Sequence, residues 1–227
     1  MAGSLNVEIQ DAGVLLTASK KYQAELTGVG SPESETEHLQ TVIEALTLKD
    51  VEHEAAVNHV RQLTGEQNTL IARSWNIIGK IKAAVKVHFF RDKLTQKEFH
   101  IGAKVVQNVA STLAELASMI GLTTTYAVQL LSRGIGEADK TELNACYAGL
   151  QAKDSEQENA KRVKVALRNE RDALLADLKD SKIKIRGSAA ICFRGNKDVL
   201  YEFKSIIRRS SSRKSSGDTT TDAPVTG

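Results

Sequence analysis

The stretch "LTLKDVEHE" (46–54) has a near copy in "LQAKDSEQE" (150–158), and both fit Leu-x-x-Lys-Asp-x-Glu-x-Glu at a separation of 104 residues. Taken once, its acids invite a metal or acid–base reading. Taken twice, it asks whether the chain is built from a repeated unit. Between Leu39 and Ala72, 11 of 34 positions are identical to the residue 104 further on, where ordinary residue frequencies give about two. Leu39/Leu143, Lys49/Lys153, Asp50/Asp154, Glu52/Glu156, Leu63/Leu167 and Leu70/Leu174 are among them. Tyr22 and Leu26 match Tyr126 and Leu130 upstream, and Glu98-Phe99 matches Glu202-Phe203 downstream. Phe90-Arg91 matches Phe193-Arg194 at 103, one residue short. The self-similarity predicts two homologous helical units, 1–104 and 105–208, with a tail at 209–227 outside the match.

The periodicity within each unit is helical. Leu15, Ala18, Tyr22 and Leu26 step by three and four, so a helix is expected to about Thr27, with Gly28 at its C-cap and Ser31 and Pro32 opening the next. Leu39, Val42, Ile43 and Leu46 share a face of that second helix. A seam of Ala56, Val60, Leu63, Leu70, Ile77, Ile81 and Ala84 then predicts a long helix from about Val51 to Phe90. In the second unit, Thr95 and Glu98 have capping-box spacing, and Val106, Val109, Leu113, Leu116 and Ile120 face one way. Helices follow over about 138–152 and 155–193, the latter with a seam of Val163, Leu167, Leu174, Leu178, Ile185, Ala189 and Cys192. No run of alternating β-branched residues calls for a sheet. The tail, "RSSSRKSSGDTTTDAPVTG", is low-complexity and reads as disordered.

The repeat changes the weight of the opening motif. Asp50 and Asp154 sit where one apolar stripe stops and another starts, so each is expected to cap a following helix, with the glutamates favoured by its dipole. The other structure the pattern allows is one continuous helix with a phase shift at Lys-Asp. A carboxylate metal site needs ligands converging from several helices. All five histidines lie before residue 101, and His53 becomes Gln157 in the second copy. Glu35-x-x-His38 has no second copy either. No HExxH, phosphate-binding glycine loop, GxSxG or Cys/His constellation is present. No catalytic residue, metal site or cofactor is therefore expected, and the reading is of a protein that is not an enzyme.

Composition sets the remaining bounds. The chain has 227 residues, 41% hydrophobic and 26% charged, a globular balance. Two cysteines in no CxxC pattern, no apolar run of membrane length and no signal-peptide pattern predict a cytoplasmic protein, with signal-independent export left open. The formal charge is only +3, yet Leu178–Lys214 holds eleven Lys or Arg against three acids. Lys182, Lys184, Arg186, Arg194, Arg208, Arg209, Arg213 and Lys214 are the candidates for anion or partner contacts there. The segment has few aromatics, so it lacks the stacking platform of a single-strand binder.

With the long helices in view, "VHFFRDKLTQKEF" (87–99) and its counterpart "ICFRGNKDVLYEF" (191–203) follow them at matching places. This arrangement resembles uncharacterised bacterial tandem-duplicated helical-bundle proteins, and the resemblance implies no known activity. The expectation is thus an all-α protein, an elongated bundle of two tandem units with pseudo-twofold character. Its expected role is structural, with self-association into a homo-oligomer or filament by coiled-coil-like packing. An adaptor or nucleic-acid-associated protein using the basic C-terminal segment is the alternative.

Overall fold

The computed structural model describes residues 2–206, and the expectations placed on 209–227 fall outside them. The described residues are all-α, without a strand. The helices are α1 (Ala2–Lys21), α2 (Gln23–Gly28), α3 (Glu33–His88), α4 (Lys93–Glu98), α5 (Val109–Thr125), α6 (Ala127–Leu131), α7 (Glu137–Cys192) and α8 (Lys197–Glu202). From α2 onward the starts and ends recur 104 residues on to within a residue, and α3 and α7 each run for 56 residues.

Several local expectations are corrected. No helix begins at Asp50 or Asp154, because α3 and α7 pass through both positions without a break. Neither aspartate is a cap, and the continuous-helix alternative is the one adopted. Ser155 does not open a helix, since its hydroxyl donates to the Gln151 carbonyl one turn back. Thr95 lies inside α4, whose N-cap is Asp92, accepting from the amides of Leu94 and Thr95. The expected first helix is broken at Tyr22, which separates α1 from α2. Gly28 ends α2 as a helical residue, and the left-handed turn comes at Gly30, with φ +88°.

That turn is a Schellman closure. The amide of Gly30 donates to Thr27 and that of Ser31 to Leu26. Gly134, with φ +77°, closes α6 the same way, its amide to Leu131 and that of Ile135 to Leu130. Nothing lies within 4 Å of where a Cβ would stand at either glycine, so only the backbone resists a side chain. Gly30→Ala and Gly134→Ala should each cost ~1 kcal/mol through the strained φ. Urea unfolding midpoints check this; unchanged midpoints would mean that the turns relax.

The chain forms two compact units that cut across the sequence repeat. Unit 1 is residues 1–47 with 174–227, and unit 2 is residues 48–173, so each boundary falls inside a long helix. Unit 1 thus joins α1, α2 and the start of α3 to the last part of α7 and α8. Its core contains Leu15, Leu26, Leu39 and Leu46 from early in the chain and Leu178, Ile185 and Phe203 from late in it. Tyr22 packs on Phe193 and Phe203, with ring centroids 5.3 and 5.9 Å away, and its hydroxyl donates to Glu202 at 2.9 Å.

Unit 2 joins the rest of α3, α4, α5, α6 and the start of α7. Its core is Ile77, Ile78, Ile81, Val85, Phe99, Leu116, Met119, Leu130, Ile135, Leu143 and Cys146, with the cysteine a free thiol. Here Tyr126 packs on Phe89 and Phe99 at 5.5 and 5.6 Å, and its hydroxyl donates to Glu98 at 2.7 Å. Phe89, not Phe90, therefore stands where Phe193 stands in unit 1. The one-residue slip in the sequence match disappears, and Phe90 is 61% exposed. In both units the tyrosine comes from one half of the chain and the phenylalanines from the other.

Candidate functional site

The basic segment is partly consumed by the fold. Lys182 is only 4% exposed, and its ammonium lies 2.6 Å from Asp11, with Glu8 also in contact. Arg186 donates through one terminal nitrogen to both Asp11 oxygens at 2.9 Å and through Nε to the Phe203 carbonyl. Asp11 also accepts from the Ser205 hydroxyl and the Ile206 amide. Burial opposes the charged form of this carboxyl, but the hydrogen bonds from Lys182, Arg186, Ile206 and Ser205 outweigh it and lower its pKa to about 2. Lys182 and Arg186 are therefore held by α1 and do not present themselves to an outside anion. Lys184 and Arg194 are exposed. Arg208, Arg209, Arg213 and Lys214 lie outside the described residues.

The sequence reading missed Asp11 and its counterpart. In unit 2, Glu115 is 4% exposed and meets Lys82 at 2.6 Å and His100 Nδ1 at 2.8 Å. The Lys82 contact is an ion pair without hydrogen-bond alignment. Glu115 and Lys82 stand 104 residues from Asp11 and Arg186. The signal was an acid repeated on an apolar helix face, hidden because neither residue of the pair is identical to its counterpart. His100 is the one described non-glycine residue with positive φ, at 52°.

The Lys-Asp motif forms two matching ion-pair sets in unit 2, where α3 and α7 run antiparallel. Lys49 bridges Glu52 at 2.8 Å and Glu170 at 2.9 Å, and Lys153 bridges Glu156 at 2.7 Å and Glu66 at 2.9 Å. Hydrogen bonds that Lys49 donates to Glu52 and Glu170 hold its pKa above the ordinary value, and those that Lys153 donates to Glu156 and Glu66 do the same for it. Asp50 accepts from Arg171, which also meets His53 at 3.1 Å; Asp154 accepts from Gln67. The motif thus registers one long helix against the other. His38, from the Glu35-x-x-His38 pair, meets Asp177 in unit 1, while Glu35 accepts from Ser31. No group of three or more metal-ligating side chains occurs among the described residues.

Between these ion-pair sets the two helices are thinly covered. No residue from 48 to 62 is buried, and only Ala160 is buried from 158 to 173. The seam expected through Val163 is not made, since Val163 is 54% exposed. It lines an open groove of about 530 Å³ with Ala55, Ala56, His59, Asn159 and Ala160, beside Glu156. Two helices alone do not enclose side chains as small as these, so the groove stays open.

Compared with family models, curated proteins and solved structures, the chain matches none. No helix among the described residues is long and apolar enough to cross a membrane.

Proposed function

We propose that this protein is a non-enzymatic structural protein that self-associates through its helical units into an oligomer or filament. The observation that carries this reading is the uncovered two-helix stretch of unit 2. Leu48, Val51, Val163 and Val165 there are 59%, 62%, 54% and 52% exposed. Exposed apolar residues gathered on one such stretch favour a covering partner. The recurrence of element bounds at 104 residues supports reading the chain as a duplicated building block. The three buried acids, Asp11, Glu115 and Asp139, are each engaged by cations of the fold itself, which suits a structural role.

The adaptor reading keeps fewer cations than the sequence offered, because Lys182 and Arg186 serve Asp11. Light scattering of the full chain at rising concentration should show mass growing beyond one copy, with negative-stain images giving the form. A strictly monomeric protein at high concentration would overturn the proposal.

A further inference from the structure

The uncovered groove has a counterpart on the same unit. Glu52, Ala55, Ala56 and His59 step along one face of α3, and Glu156, Asn159, Ala160 and Val163 along the facing side of α7. The Lys49 and Lys153 sets sit at the two ends of this face, four glutamates against two lysines. The groove is therefore small-residue and apolar along its floor and acidic at both rims. The rims, marked by Glu52 and Glu66, lie about 21 Å apart along α3 at 1.5 Å per residue.

On α7, outside the lining of this groove, stands the sequence Arg162-x-x-Val165-x-x-Arg168. Val165 is 52% exposed, and an arginine lies three residues to either side of it. Arg168 meets Asp172 only at 3.5 Å and is 65% exposed, and Arg162 has no ion pair within 4 Å among the described residues. These positions form a ridge, a valine with a long cation on each flank. The equivalent positions on α3, 104 residues earlier, are Asn58, Arg61 and Thr64. They carry no apolar side chain at the centre and no cation on either flank, so α3 does not repeat the ridge.

We propose that the groove is occupied by the Arg162–Val165–Arg168 ridge of a second copy of this chain, the valine seated on the alanines and the arginines reaching the two glutamate rims. This rests on the self-association proposed above and specifies its surface. A groove meeting a ridge is a heterologous contact, which leaves one free groove and one free ridge on every pair and so propagates.

The test uses the full chain with Val165→Glu and, separately, Ala55→Glu. Both positions are exposed, so circular dichroism and melting should match the parent. Sedimentation should show each variant at least tenfold weaker in association. An equimolar mixture should recover a one-to-one dimer and stop there, because the mixture holds one intact groove and one intact ridge. If the parent associates and Val165→Glu associates equally well, the ridge assignment falls while self-association stands. If both variants fail and their mixture also fails, the two faces are not complementary and the proposal is overturned. A parent that stays monomeric overturns both readings.

Discussion

Asp11→Ala is expected to destabilise the protein by ~3–5 kcal/mol, because it strands a buried cation. Lys182, with a side chain 5% exposed, would keep only Glu8, and Arg186 would lose both of its carboxylate contacts. The Ser205 hydroxyl and the Ile206 amide would lose their acceptor as well. Lys182→Met should cost less, since it leaves Asp11 with Arg186, Ser205 and Ile206. Urea unfolding of the full chain measures both, and a loss below ~1 kcal/mol for Asp11→Ala would show that the cluster relaxes into water. The same carboxyl sets an acid dependence. Its folded pKa of about 2 lies below the ordinary 3.8, so its contribution is complete above pH ~4 and is lost as pH falls toward 2. The amount at stake is ~2 kcal/mol.

The second large effect concerns the chain's own halves. Neither 1–104 nor 105–227 contains a whole core, since unit 1 needs 174–206 and unit 2 needs both sides of residue 104. Each fragment alone should give no cooperative melt as a monomer. Mixing the two should restore the parent's helicity and its melting transition. A monomeric 1–104 that melts cooperatively would sink this expectation, and would mean that α1 and α2 can fold back on the far end of their own α3.

Much of this was legible in the amino-acid pattern. The step of three and four in Leu15, Ala18, Tyr22 and Leu26, and the stripe from Leu63 to Ile81, report helices because burial has to follow the helical period. The identity of Leu26 and Leu130, or of Leu39 and Leu143, reports equivalent core places. Identity does not report which copy packs on which. Tyr22 and Tyr126 read as matched aromatics, yet nothing local says that each finds its phenylalanines in the other half. Asp50 and Asp154 misled as caps because a polar pair between apolar stripes is compatible with a helix end or with a turn of helix whose partner is an arginine or glutamine. Arg171 and Gln67, the residues that decide it, lie 121 and 87 residues away. Lys182 misled for a related reason: a lysine in a basic run looks solvated until an aspartate 171 residues earlier is placed beside it.

The discontinuity of unit 1 has a consequence in time. During synthesis, unit 2 is complete once residue 173 has emerged, because its residues 48–173 are contiguous. α1 and α2 are made before unit 2, but Leu15, Leu26 and Asp11 wait for Leu178, Lys182, Arg186 and Phe203. Contacts of such long sequence separation form slowly. α1 and α2 thus leave the ribosome ahead of unit 2 and are covered after it, and through that interval their apolar faces are open to chaperones and to neighbouring nascent chains.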